Sequence, residues 1–115
     1  MRRGEIRMVE LDPDSGDESV QRRPAVIVSN DRANSAATRL GRGVVTVVPL
    51  TSRVTDVYPF QVYLAGGANG LPIDSKAQAE EVRSVAVGRL GPRLGELQAA
   101  QLSQLDEALR LHLQL

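Results

Sequence analysis

Runs of apolar residues divide the chain into short segments that are typical of β-strands. Residues 5–11 form the first segment, the branched run 25–28 after Pro24 forms the second, and residues 44–50 have the strongest strand pattern in the chain. The continuous run of branched residues at 25–28 favours a strand that is covered on both faces. Pro49 interrupts the third run, so an edge, a bulge or the end of the strand is expected there.

The later segments are weaker. Residues 58–64 place apolar side chains on one face and predict a fourth strand, and residues 82–87 predict a last strand ending at Gly88. Residues 74–79 fit either a strand or a loop. Three stretches predict connections: the turn-rich residues 12–17, the small and polar residues 30–43 with at most one helical turn, and the glycine-rich turn 66–70.

The tail has a different period. Apolar residues at three- and four-residue spacing predict an amphipathic helix from Gln98 onward. The stripe consists of Leu102, Leu105, Leu109 and either His112 or Leu113, with His112 interpreted as a packing residue. A loop is expected before it at Gly91, Pro92 and Gly95. With no repeat or linker, residues 1–115 predict one domain of mainly β with α (α+β) class, a strand-rich barrel or curled sheet closed by a C-terminal helix.

Composition excludes several classes of protein. The chain has 115 residues, 42% hydrophobic and 24% charged, which is normal for a folded domain and excludes a disordered charged tail. The absence of cysteine rules out a disulfide or a thiolate nucleophile, and the single histidine rules out a pair of imidazoles. No apolar run reaches the roughly 20 residues that span a bilayer, and the charged start lacks a signal-peptide core. A cytoplasmic protein without a membrane partner is therefore expected.

The formal charge of zero hides an uneven distribution. Residues 1–20 hold three arginines against six carboxylates, a net of −3, whereas residues 22–53 hold six arginines against one aspartate, a net of +5. Thirteen of the fourteen cations are arginine, whose rigid fork of donors suits phosphate or carboxylate. The basic segment therefore predicts contact with an anion, although solvated surface arginines are the alternative.

Two strand ends carry the candidate chemistry. Arg22 and Arg23 precede Pro24, which biases Arg23 toward extended geometry. The segment Thr51-Ser52-Arg53 ends the strongest strand, with Thr51 on the face of Val45 and Val47. Together these ends predict a phosphate pocket, and surface decoration with an ordinary turn is the alternative.

The remaining candidate motifs are either absent from the sequence or open to two interpretations. Glu80, Glu81 and Arg83 precede the last predicted strand and fit either substrate binding or an ion-paired turn. Neither a phosphate-binding glycine loop nor a spacing of metal ligands is found, so no metal and no cofactor is predicted.

Several blocks together resemble the MazF/PemK family of bacterial toxins. They occur in order along nearly the whole chain, which makes the resemblance specific. The blocks are Arg2-Arg3-Gly4-Glu5-Ile6, Arg23-Pro24-Ala25-Val26-Ile27-Val28-Ser29-Asn30, Val47-Val48-Pro49-Leu50-Thr51-Ser52, Gly70-Leu71-Pro72-Ile73-Asp74-Ser75, Glu81-Val82-Arg83-Ser84-Val85 and Arg89-Leu90-Gly91.

The resemblance implies an SH3-like, strongly bent sheet, a homodimer with an RNA groove, and a cognate antitoxin that occupies this groove. It implies a metal-independent endoribonuclease that cuts single-stranded RNA in the bacterial cytoplasm. The family's catalytic arginine falls on Arg23 and its catalytic hydroxyl on Thr51, with Ser52 as the adjacent alternative. Residues expected around the RNA are Arg22, Arg53, Glu80, Arg83, Asp14 and Ser15; the last two lie in the loop 12–21 that borders the family's groove.

The implied chemistry needs little from the protein. RNA carries its own nucleophile, the 2′-OH, and its attack on phosphorus gives a 2′,3′-cyclic phosphate and a 5′-OH end. Arg23 would stabilise the charge, while the general base stays unassigned because arginine remains protonated in proteins. One rival is a gyrase-binding toxin resembling CcdB, disfavoured because the chain lacks tryptophan. The other is an inactive scaffold that only binds antitoxin.

Overall fold

The computed structural model describes residues 1–11 and 21–115, which contain seven β-strands and two α-helices. The strands are β1 (Glu5–Leu11), β2 (Gln21–Ile27), β3 (Val44–Thr51), β4 (Gln61–Leu64), β5 (Ser75–Gln78), β6 (Arg83–Ala86) and β7 (Leu90–Glu96). The helices are α1 (Asp31–Leu40) and α2 (Ala99–Leu113), and single 3₁₀ turns occupy Ala79–Glu81 and Val87–Arg89. The predicted class, mainly β with a C-terminal helix, is confirmed.

The strands form an antiparallel sheet in the order β4-β5-β3-β2-β1-β7, with β6 paired to β3. Strand β3 changes partner along its length, because residues 44–47 pair with β6 whereas Leu50 and Thr51 pair with β5. Within the described residues, the outer strands β4 and β7 do not pair with each other, so the sheet is not closed as a barrel, and of the two predicted forms the barrel is wrong. Helix α2 contacts β4 and covers this end of the sheet, which removes the need for a closing strand.

Alternate residues of β3 enter two different hydrophobic clusters. Val48 and Leu50 belong to the cluster that α2 covers with Leu105 and Ala108, whereas Val45 and Val47 belong to a second cluster. Strand β2 divides in the same way, because Val26 joins the first cluster and Ile27 the second, which confirms the prediction that the run 25–28 is covered on both faces. The sheet therefore has rigid central strands, whose ends present side chains at fixed positions.

Residues 30–43 form a helix where the sequence pattern predicted a long loop. Helix α1 begins after Asn30, whose side chain accepts a bond from the Ala33 N–H at 2.8 Å, and ends at Gly41 in the left-handed conformation. Its buried residues are only Asn34 and Ala37. So small a buried face leaves no apolar stripe in the sequence, which explains why the helix was missed.

Strand β7 was also missed, because Gly91, Pro92 and Gly95 were interpreted as a loop. The glycine at 95 lets the turn at residues 66–70 pack on this edge strand: a Cβ there would lie 1.9 Å from the Asn69 carbonyl oxygen. Gly70, at φ +79°, meets Leu94 in the same way, at 1.8 Å. Close packing between the two backbones requires glycine at these positions, and glycine in a sequence is more typical of a loop than of a strand.

The C-terminal helix is confirmed, but its end does not pack as predicted. Leu105 is fully buried and Leu102 and Leu109 pack against the same cluster, whereas His112 is exposed in the last turn. No helix among the described residues is both long and apolar enough to cross a membrane.

Strand bounds also differ. Strand β2 begins at Gln21, so Arg22 and Arg23 lie inside the strand and pair with β1 rather than preceding the strand. Strand β4 begins at Gln61 rather than residue 58, and β6 is followed by β7.

Candidate active site

Arg23 lies in β2, half-buried, where the pairing between β2 and β3 ends. The last pair of that ladder is Ala25 with Pro49, and Pro24, next in the register, has no N–H to donate to β3. The carbonyl oxygen of Leu50 instead accepts two bonds from the Arg23 guanidinium, from Nε at 3.1 Å and from Nη2 at 2.8 Å. The proline therefore leaves a backbone acceptor that holds the arginine against the end of β3.

A cleft of about 290 Å³, which we call the hydroxyl cleft, brings Arg23 together with the end of β3. Thr51 is half-buried in its wall and Ser52 is exposed. The Thr51 hydroxyl oxygen accepts the Arg53 backbone N–H at 3.3 Å. The other lining residues are Pro24, Leu50, Leu71, Pro72, Ile73 and Ser75. Arg23, Thr51 and Ser52 therefore line one small cleft.

A second cleft of about 350 Å³, the carboxylate cleft, shares Arg23 with the first. Its charged residues are Arg23, Glu80, Glu81 and Arg83, and its other lining residues are Leu11, Gln21, Pro49 and Val82. Glu81 Oε2 lies 3.6 Å from Arg23 Nη1. Glu80 Oε2 accepts a bond from Gln61 Nε2 at 2.5 Å, while its other oxygen is buried without a hydrogen-bond partner. Arg23 therefore stands between a hydroxyl-lined cavity and a carboxylate-lined one.

Sequence comparisons match nearly the whole chain to one protein family. The sequence model described as "PemK-like, MazF-like toxin of type II toxin-antitoxin system" matches residues 2–113. The chain belongs to this toxin family. A curated relative, Endoribonuclease MazF9 of Mycobacterium tuberculosis, is 62% identical over 115 residues, covering 100% of this chain and 98% of the relative.

Solved structures of MazF-like toxins share the fold. Mycobacterium tuberculosis toxin MazF-mt6 superposes with a TM-score of 0.78 at 25% identity, covering 96% of this chain and 97% of the other. An endoribonuclease in complex with its cognate antitoxin, from a mycobacterial species, superposes with a TM-score of 0.75 at 25% identity, covering 100% of this chain and 96% of the other. The sheet and its C-terminal helix are therefore the architecture of this toxin family.

Not every predicted site residue of this MazF-like chain joins the two clefts. Arg22 lines a separate cavity with Met8 and Leu90, and its Nη2 lies 3.1 Å from Glu10 Oε1. Arg53 is exposed beyond β3 and lines neither cleft. Asp14 and Ser15 lie outside the described residues. The structure thus brings together Arg23, Thr51, Ser52, Glu80 and Arg83.

Gln78, at the end of β5, is a site residue that the sequence pattern did not reveal. Its side-chain oxygen accepts a bond from Arg23 Nη2 at 2.6 Å, a third bond that fixes the guanidinium. The available signal was a polar residue at the end of a short buried strand. Because residues 74–79 fitted strand and loop equally well, that strand end was not located.

The far wall of the hydroxyl cleft is anchored by Asp74, which lies between the lining residues Ile73 and Ser75. The Gly66 N–H, at 2.7 Å, and the Tyr63 hydroxyl donate to its carboxylate, and these bonds hold the pKa of Asp74 below its usual value. The same contact raises the pKa of Tyr63. A charged carboxylate therefore ties the cleft wall to strand β4 and to the turn at Gly66.

Proposed function

We propose that this toxin is an endoribonuclease that cleaves single-stranded RNA without a metal ion. The 2′-oxygen of one ribose forms a bond to the adjacent phosphorus, the bond to the 5′-oxygen of the next nucleotide breaks, and that oxygen leaves as a 5′-OH. The products are a 2′,3′-cyclic phosphate and a 5′-OH end. The observation that carries the proposal is the guanidinium of Arg23, held by three hydrogen bonds at the mouth of the hydroxyl cleft.

Arg23 stabilises the charge that develops on the phosphoryl oxygens. Its Nε and Nη2 are bonded to the protein, so its orientation is set before substrate arrives. Such preorganised donors contribute much of the rate in phosphoryl chemistry because they need no reorganisation during the reaction. A phosphate in the hydroxyl cleft would also meet Thr51, whose hydroxyl bonds a phosphoryl oxygen or orients the 2′-OH. Ser52 is the neighbouring candidate for that role.

The residues around Arg23 extend the site along an RNA strand. Arg83 and the partnerless oxygen of Glu80 offer a donor and an acceptor in the carboxylate cleft. Arg22, in its separate cavity, and Arg53, beyond β3, contact RNA phosphates outside the two clefts, and Asp14 and Ser15, in the segment between β1 and β2, complete the proposed RNA contacts. A buried acceptor without a partner is costly, which supports a ligand donor for Glu80.

The toxin works as a homodimer in the cytoplasm and is inhibited by a cognate antitoxin. The solved endoribonuclease–antitoxin complex with which this chain superposes over its whole length supports the antitoxin proposal. We also propose that the bent sheet is SH3-like, with helix α2 taking the position of a closing strand. Sedimentation of the toxin with and without its antitoxin tests the assembly.

Purified toxin and two variants, incubated with mixed RNA in EDTA, test the activity. Wild type is expected to give discrete fragments with 5′-OH ends, and Arg23→Ala to cut about 10²–10³-fold more slowly. Arg39→Ala, which removes an exposed charge at the end of α1, is the matched control and keeps the wild-type rate. An Arg23→Ala variant that cuts as fast as wild type would contradict the role of this residue.

The rival toxin class binds gyrase and performs no chemistry. The relatives found here are named endoribonucleases, so the comparisons favour the nuclease. The same EDTA experiment separates the two, because a gyrase-binding toxin or an inactive scaffold leaves the RNA intact.

A further inference from the structure

The Arg23 guanidinium has acceptors on every nitrogen. Nε and Nη2 donate to the Leu50 carbonyl oxygen, Nη2 also donates to Gln78, and Nη1 faces the carboxylate of Glu81 at 3.6 Å. Because the donors of Nε and Nη2 are taken by the protein, Nη1 is the part of the fork left for a phosphate. Glu81 already pairs with Nη1, so a phosphate that reaches Nη1 from the hydroxyl cleft competes with this carboxylate.

The acceptors differ in charge and in how firmly they are held. Leu50 and Gln78 are neutral and belong to the paired strands β3 and β5. Glu81 is charged, its side chain is 49% exposed, and it ends the single 3₁₀ turn Ala79–Glu81. Its longer distance to Arg23 is that of an ion pair rather than a hydrogen bond. An incoming anion would therefore displace Glu81 and leave the two neutral acceptors in place.

We propose that Glu81 is the counter-ion that an RNA phosphate displaces from Arg23, so that its carboxylate lowers the affinity of the toxin for RNA. The inference rests on the proposed nuclease function. The carboxylate cleft holds two carboxylates and two guanidiniums, and its charges therefore balance. Removing the exposed carboxylate leaves a net positive cleft, which strengthens its attraction for phosphate.

Binding of a single-stranded oligonucleotide made of 2′-deoxy residues measures this effect without cleavage, because DNA lacks the attacking hydroxyl. Glu81→Gln is expected to bind up to about fivefold more tightly at low salt, the range of exposed ion pairs. The gain should disappear at about 0.5 M salt, because exposed charges are then screened.

Glu96→Gln is the matched control. Glu96 Oε2 lies 3.4 Å from Arg93 Nη2, a similar exposed pair, but it belongs to strand β7 and lines neither cleft. The Glu96→Gln variant loses the same charge as Glu81→Gln but should bind the oligonucleotide like wild type. Glu81→Ala should match Glu81→Gln, because charge rather than shape carries the effect, and melting temperatures check that each variant is folded.

The gain must also depend on Arg23. In an Arg23→Ala background, Glu81→Gln should add nothing to binding. Equal or weaker binding by Glu81→Gln, the same gain in Glu96→Gln, or a gain that persists without Arg23 would each overturn the inference. If the wild-type toxin does not cut RNA, the nuclease proposal is wrong. If Arg23→Ala loses cleavage but Glu81→Gln binds the oligonucleotide like wild type, only the proposed role of Glu81 is wrong.

Discussion

Two consecutive arginines of β2 occupy opposite environments. The side chain of Arg23 is 29% exposed and donates to Leu50 and Gln78, whereas that of Arg22 is 69% exposed and pairs with the carboxylate of Glu10. Successive side chains of a strand point to opposite faces, so one of the pair turns toward the clefts and the other away. The comparison teaches that fixed orientation, more than charge, distinguishes the arginine that we propose as catalytic from its surface neighbour.

Replacing each arginine by lysine tests most directly whether orientation or charge distinguishes the two residues. Lysine keeps the charge but cannot reach Leu50, Gln78 and a phosphate together, so Arg23→Lys should lower the cleavage rate by about 10²-fold. Arg22→Lys should lose only about twofold, because an exposed ion pair contributes little. Single-turnover cleavage of one RNA measures both; equal losses would show that charge alone matters.

Gln78→Leu tests orientation without touching the arginine. It removes one hydrogen bond to a charged group, and we expect kcat to fall about tenfold while KM changes little. Gln78→Glu, which restores an acceptor but adds a charge, should instead raise KM by competing for the guanidinium. If Gln78 has a purely structural role, Gln78→Leu should lower the melting temperature, and the two variants should not differ in whether kcat or KM changes.

Arg22→Ala examines the other face. If Arg22 only adds charge beside the RNA, its loss should raise KM by less than about fivefold and leave kcat unaltered. The effect should shrink as salt increases, since the contact is exposed. A fall in kcat comparable to that of Gln78→Leu would place both arginines in the reaction.

The smallest effect concerns the wall of the hydroxyl cleft. Because the folded protein lowers the pKa of Asp74, its charged form stabilises the fold above the unfolded pKa, and this contribution is lost as pH falls below about 4. Asp74→Asn should therefore melt slightly lower than wild type at neutral pH, and the difference should vanish in acid. Thermal unfolding across this pH range measures it; a gap that widens in acid would contradict the sign.

Prediction from sequence succeeded where the signal was local. The branched run of β3 and the leucine stripe of α2 are patterns within a single element, and the structure has both the predicted strand and the predicted helix. It failed where an element buries little, as in α1 with two buried residues, or where glycine serves a distant neighbour, as in β7. The pattern of apolar residues in a segment indicates which of its own side chains are buried. It does not indicate which distant segments pack against it.

The sequence by itself determined the strand-rich class, the C-terminal helix and the placing of Thr51 at the end of β3, because alternation, proline and the leucine period act within a few residues. Only the tertiary structure decided that the sheet stays open and which acceptors hold the arginine. Leu50 lies 27 residues from Arg23 along the chain, and Gln78 lies 55 residues away. Contacts of that separation depend on how strands pair, and pairing is a property of the whole fold.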